Sequence, residues 1–276
     1  MLRFKNISYS YGKGHKALAD IDAGIDTGIC LLLGENGAGK TTLLGLASGS
    51  LIAQEGSIDF DGENPADRLP STMSSVFYLT DDWQSPFRTI RRTAKYHAPF
   101  YPTFDADMFE ANLAAFGLTG NERLKSLSLG MRHKTGIAYA LALRPRLLLL
   151  DEPANGLDID SKKELRRMMS RCIDETQTVI ISTHTVADLE VLYDNLLLLH
   201  AGTVVLAVPA PTISSRLSFV TSAVPIPDAL YIEPDCGVFR AIVRADEPYQ
   251  TAVDYELLYS AIASGAAPEI LNILRQ

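Results

Sequence analysis

The stretch LLLGENGAGKTTLL, Leu31 to Leu44, places three glycines, one lysine and two threonines between two apolar runs. Neither a core strand nor a core helix accommodates so many glycines in its interior. The apolar run Ile29 to Leu33 reads as a buried strand, and the segment TTLLGLASGS beyond the glycines reads as helical. Three further runs, Val76 to Leu79, Leu147 to Leu150 and Val179 to Ser182, also read as buried strands, each followed at once by polar or small residues. Because these runs alternate with longer amphipathic stretches, the chain is expected to be α/β with a largely parallel sheet. The strand ends of such a sheet open onto a ligand crevice.

Around this core, the segment from about Asp82 to Arg144 has helical patterns, including DADMFEANLAAFGL and LGMRHKTGIAYALAL, and is expected to be a helical insertion. Alternation in ISYSY and turn signals around GSIDFDG, Gly56 to Gly62, suit a small antiparallel sheet beside the core. With 276 residues, 47% apolar and 21% charged, the chain can bury a substantial core as one large domain or two smaller ones. No window reaches the ~18 to 20 consecutive apolar residues of a membrane span, and MLRFKNISYS lacks the pattern of a secretory signal, so a cytosolic location is expected. Cys30, Cys172 and Cys236 are too scattered for a disulfide framework or a metal cluster. A net charge of -8 argues against wholesale capture of nucleic acid or anionic membrane, so any phosphate must be held locally.

Gly34-x-x-x-x-Gly39-Lys40-Thr41 has the spacing of a phosphate-binding loop between a strand and a helix. Glycines let the backbone curl so that several N–H groups of Gly34, Asn36, Gly37, Ala38 and Gly39 point at phosphate oxygens, and the helix N-terminus adds partial positive charge. Lys40 is expected to reach the β- and γ-phosphates, Thr41 to place its hydroxyl on Mg²⁺, and Thr42 to contact phosphate or begin the helix. The expected ligand is therefore a nucleoside triphosphate with its metal. LLLLDEP adds an apolar strand ending in Asp151 and Glu152; adjacent acids at a buried strand's end are costly unless a cation or substrate uses them. Asp151 suits the metal's water shell, and Glu152 is placed to act as general base on an attacking water.

GENGAGKTT, LSLGMRHK, LLLLDEPANGLD and ISTHTVADLE occur in the order and spacing of the ATP-binding-cassette (ABC) ATPases, which the chain resembles over about residues 2 to 207. The resemblance implies a P-loop NTPase (RecA-like) core with ATP and Mg²⁺ as ligands. It also implies two cassettes packed head to tail, with Ser128 and Gly130 of one subunit closing over the ATP held by Lys40 of the other. Ser128 suits this as an N-cap whose helix end is an anion site; Leu129 and Met131 depart from the family's usual glycine and glutamine. The resemblance further makes Asp158 a coupling residue between the two sites and His184 a γ-phosphate contact. Tyr11 is the adenine-stacking aromatic, with Tyr9 as the neighbour it can be confused with. After VFYL the family usually has glutamine; here the register gives Asp81, a metal-shell candidate, with Gln84 as a possible substitute. An acid there resembles exporters' ATPases more than importers'.

The domain reading is a nucleotide-binding domain over 1–207, with its helical subdomain at about 82–144, and a small α/β accessory region over 208–276 that contains ALYIEP and FRAIVR. That region is expected to pad the core or support dimerisation, with a sensor role as the alternative. By resemblance the chain is the ATPase subunit of a transporter, a homodimer on the cytoplasmic face of the membrane that drives a separate transmembrane permease through DDWQSPFRTIRRTAKYHAPFYPTF. No nucleic acid is expected. The alternatives are a soluble ABC-type ATPase acting on a macromolecular partner and a regulatory module that holds ATP without turnover.

Overall fold

The computed structural model describes residues 1–12, 14, 16–186, 193–246, 251–265 and 268–276. Residues 187–190, the end of ISTHTVADLE, lie outside that set.

The central sheet is built from β3 (Gly28–Leu33), β5 (Val76–Leu79), β6 (Leu147–Asp151), β7 (Thr178–Thr183), β8 (Asn195–His200) and β9 (Thr203–Pro209). Its order is β5-β6-β7-β3-β8-β9, parallel throughout except for the antiparallel edge strand β9. Buried strands need apolar side chains on both faces, which is why these segments read as unbroken runs rather than as alternation. Leu31, Leu33, Leu148, Leu150 and Ile181 point to one apolar cluster, whereas Cys30, Leu32, Leu147, Leu149 and Ile180 point to the other. Strand β8 was not among the expected strands, although its LLLL run carries the same signal as β6.

The second face is covered by α1 (Lys40–Ala47) and a three-stranded antiparallel sheet of β1 (Leu2–Ser10), β2 (Lys16–Ile25) and β4 (Glu55–Phe60), in the order β2-β1-β4. A short helix α2 (Pro70–Met73) leads into β5. The first face carries α3 (Ile90–His97), α4 (Ala106–Ala115) and α5 (Leu129–Leu143), which account for the expected helical insertion, together with α6 (Ile159–Cys172), a helix after the acid pair that was not expected.

Tyr139 of α5 anchors this insertion to the sheet. It has 0% exposure, and its ring lies 6.0 Å from Phe77 of β5 and 5.9 Å from Phe109 of α4, with its hydroxyl 2.7 Å from His97 Nδ1. Truncating a buried aromatic removes its burial and leaves a cavity, so Tyr139→Ala is expected to lower stability by about 3–5 kcal/mol. A urea titration monitored by Trp83, which stands 6.3 Å from that ring, reads the loss.

Beyond β9 follow α7 (Ala210–Arg216), the antiparallel sheet β10-β12-β11 of Leu217–Ser222, Val238–Arg244 and Tyr231–Asp235, then α8 (Tyr255–Ala263) and α9 (Pro268–Arg275). Leu257, Leu258, Ala261 and Ile262 of α8 belong to the same apolar cluster as the first face of the central sheet. The C-terminal segment is thus packed on the core. Among the described residues, no single helix is long and apolar enough to cross a membrane.

Candidate functional site

Register brings the key strand ends level. Leu33 pairs with Thr183, and Asp151 pairs with Ser182, so the loop after β3, the acids at the end of β6 and His184 after β7 meet at one edge of the sheet. The loop and the acids border a cleft of about 400 Å³ whose walls include Tyr11, Asn36, Gly37, Lys40, Thr41 and Asp151, and His184 reaches it through Glu152.

The loop turns into α1 at Gly39, whose φ of 104° is a left-handed conformation that favours glycine. A Cβ there would stand 2.8 Å from the carbonyl oxygen of Ala17. Lys40 is 6% exposed, and its Nζ donates to the carbonyl oxygens of Gly34 at 2.7 Å and Glu35 at 3.2 Å. Burial lowers its pKa from the ordinary lysine value, against the opposing pull of Glu152 and Asp151. Gly39, Thr42 and Glu152 belong to the same wall, whereas Gly34 and Ala38 are buried and do not line the cleft. Thr42 is buried, and its hydroxyl is 3.2 Å from that of Tyr11.

Asp151 is 5% exposed and its carboxylate is oriented from two sides: Ser182 Oγ donates to Oδ1, and Tyr78 Oη donates to Oδ2 at 3.2 Å. Burial first, and then the neighbouring Asp151 carboxylate, pushes the Tyr78 phenol above its ordinary pKa, keeping it a donor. Glu152 follows with φ 48°, unusual for a residue with a Cβ. Its N–H donates to Ser182 O at 3.1 Å, which holds that conformation. The side chain then reaches 2.9 Å from His184 Nδ1 and 3.7 Å from Lys40 Nζ. Left-handed non-glycine backbone costs about 1–3 kcal/mol and persists where surrounding structure enforces it.

Asp81 lies on the cleft wall, whereas Gln84 faces a separate pocket with Trp83, Phe87 and Lys125. Asn155 Nδ2 donates to Asp81 Oδ1 at 3.2 Å. Tyr11, 59% exposed, borders the cleft, and Tyr9 stacks edge-on behind it at 5.1 Å.

Ser128, Gly130 and Asp158 are brought together at a different place, off this cleft. Ser128 caps α5, its Oγ accepting from Met131 N at 3.3 Å. Gly130 packs so closely on the following loop that a Cβ would meet Gly156 O at 2.7 Å. Asp158 caps α6 by accepting from Ser161 N at 2.8 Å, and Lys134 Nζ pairs with it at 3.0 Å. Those Ser161 bonds, then Lys134, hold its carboxyl well below the usual aspartate range.

A family model described as "ABC transporter" matches residues 18–155. The lantibiotic transport ATP-binding protein SrtF of Streptococcus pyogenes is 30% identical over 213 residues, covering 75% of this chain and 90% of its own. The chain belongs to the ABC transporter ATP-binding proteins. Another relative, the uncharacterized ABC transporter ATP-binding protein YdbJ of Bacillus subtilis, is 32% identical over 62% of this chain, and the alignment spans 57% of YdbJ. A solved structure of an "ATP binding subunit of ABC transporter" superposes with TM-score 0.66 at 25% identity, over 76% of this chain and 90% of that one. The fold is accordingly the P-loop, RecA-like α/β core of these ATPases, and the activity is ATP binding and hydrolysis.

Several contacts of this ABC ATPase were missed in the sequence. Ser182 and Tyr78 hold Asp151, and their signal is faint: a polar residue breaking each of two apolar strands. His133 sits under Asp81 with Nδ1 2.7 Å from Asn155 O and a buried Nε2 3.9 Å from Asp81 Oδ1. Tyr259 of α8 meets Glu35 at the head of the loop, a contact with no local sequence signal.

Proposed function

We propose that two copies of this chain close head to tail on ATP and Mg²⁺, each supplying Ser128 and Gly130 to the ATP held by Lys40 of the other, to drive a separate transmembrane permease. The observation that carries this reading is the N-terminus of α5. It is a Ser-capped helix end, suited to an anion, yet it lies off the cleft of its own chain and is flanked by exposed Leu129, Met131 and Ile159. A phosphate from a second copy satisfies the helix end, and the same closure covers the apolar side chains. Asp158 and Asn155, beside this helix end, are the proposed link between the two sites.

Within one copy, the loop N–H groups, Lys40 and Thr42 would hold the phosphates and Tyr11 would stack on adenine. Glu152 would act as general base, with His184 holding its carboxylate and contacting the γ-phosphate. The donor set fits Mg²⁺: the Thr41 hydroxyl and a pre-oriented Asp151 carboxylate are hard oxygen ligands on one cleft wall, with Asp81 placed to reach the metal's waters. Bound there, the metal neutralises charge on the β- and γ-phosphates. We place the chain peripherally on the cytoplasmic face of the membrane. One relative is a taurine import ATP-binding protein of Escherichia coli and another the lantibiotic transport ATP-binding protein SrtF, so cargo is assigned to the permease. The proposed direction is outward, on the carboxylate at Asp81.

Analytical ultracentrifugation of the Glu152→Gln variant tests the dimer: Mg-ATP is expected to convert monomer to dimer, and adding Ser128→Arg to abolish the shift. A monomer under all conditions rejects head-to-tail closure. Co-purification from native membranes tests the partner, since recovery only with a soluble macromolecule would replace the transporter reading by a non-transport ATPase.

A further inference from the structure

The phosphate loop is gripped from outside the segment that the family model matches. Tyr259 of α8 stands 224 residues from Glu35 in sequence, yet its Oη donates to Glu35 Oε1 at 2.8 Å and accepts from Glu35 N at 3.3 Å. His200, the last residue of β8, brings Nδ1 to 3.4 Å from Glu35 Oε1 and 3.5 Å from the Tyr259 oxygen. On its other side Glu35 offers its carbonyl oxygen to Lys40 Nζ at 3.2 Å and to Ala38 N at 3.1 Å. Glu35 is therefore a single residue clamped between α8 and the lysine of the loop, and it borders the cleft itself.

We propose that Tyr259 is a positioning residue for ATP, holding Glu35 so that the loop N–H groups and Lys40 are set for the phosphates, and making the C-terminal region a determinant of nucleotide affinity. This rests on the reading of Lys40 and its loop as the phosphate site.

The alternative of a merely structural role is weakened by what already holds α8. Its N-cap Asp254 accepts from Leu257 N at 2.9 Å, Leu257, Leu258, Ala261 and Ile262 are buried, and Tyr255 packs edge-on against Tyr193 at 5.7 Å. Tyr259 is at the helix edge, half-buried, and its oxygen adds a contact to the loop rather than to the core. Burial and the Glu35 carboxylate push its phenol up to about 12, so the proton it donates is retained at neutral pH. A loop that leaves this grip gains conformations, and ATP must then select the competent one, which lowers apparent affinity without altering the chemistry of the bound complex.

The test is the substitution Tyr259→Phe, which removes one oxygen and keeps the ring. In the full chain it is expected to raise KM for Mg-ATP about three- to tenfold, the fold-change of one net hydrogen bond, with kcat at saturating ATP within about twofold of the parent. The thermal midpoint should stay within about 2 °C, since the packing of α8 is intact. Glu35→Ala should weaken ATP comparably, and the double variant should be no weaker than either single one, because both remove the same contact. Unchanged KM in Tyr259→Phe overturns the proposal, and so does additivity of the two losses. Lys40→Ala, assayed by binding alongside, separates the two readings: lost binding there with a flat Tyr259→Phe rejects only the positioning role, whereas retained binding in Lys40→Ala rejects the phosphate-site reading beneath it.

Discussion

Glu152→Gln is expected to lower kcat for ATP hydrolysis by about two to four orders of magnitude while Mg-ATP still binds, because the substitution keeps the shape of the side chain and removes its basic oxygen. The geometry isolates that oxygen's role. Glu152 Oε1 is 2.9 Å from His184 Nδ1, and the backbone that aims it is held in its left-handed conformation by Ser182. A glutamine in the same conformation still hydrogen-bonds His184 but cannot take a proton from water at neutral pH. The 3.7 Å ion pair with Lys40 is lost, so phosphate affinity should hold or rise as the lysine is freed from a competing carboxylate. Phosphate release under saturating ATP, paired with equilibrium dialysis of nucleotide, measures both quantities. Hydrolysis within a few-fold of the parent would remove Glu152 from the base role and return it to a solvated strand exit.

Lys40→Ala is expected to act on the other parameter. Its ammonium is 6% exposed and shared between the carbonyl oxygens of Gly34 and Glu35, which places it at the head of the loop. Truncating one partner of a buried, hydrogen-bonded charge pair costs about 2–5 kcal/mol, which corresponds to roughly 30- to several thousand-fold weaker binding. The loss should fall on Kd for Mg-ATP measured by calorimetry. Folding should suffer less, because Glu35, one of the two carbonyl partners left behind, is exposed and borders the cleft, where water can replace the ammonium. Mg-ATP binding within threefold of the parent would reject Lys40 and its loop as the phosphate site.

Much of this molecule was legible along the chain, and the legible parts share one property: their signal lies within about a dozen residues. The glycine spacing from Gly34 to Gly39, the apolar runs of β3, β5, β6 and β7, the acids ending β6 and the Ser128 cap of α5 are each set by local backbone geometry or by burial on two faces of a strand. Local spacing also left choices open. Asp81 and Gln84 were both candidates for the cleft until the turn after β5, with Trp83 N donating to Thr80 O at 3.0 Å, directed the first to the cleft and the second away from it.

What pattern could not reach were contacts between residues far apart in sequence. Strand register sets Ser182 beside Asp151, and the packing of the insertion sets His133 and Asn155 beneath Asp81. The docking of α8 on the core sets Tyr259 on Glu35. A phosphate-binding loop and its helix are encoded in place, because hydrogen bonding and φ/ψ preference act between neighbours. Which side chains hold that loop and its acids depends on how strands order in a sheet and where helices dock, and those arrangements arise from burial summed over the whole chain.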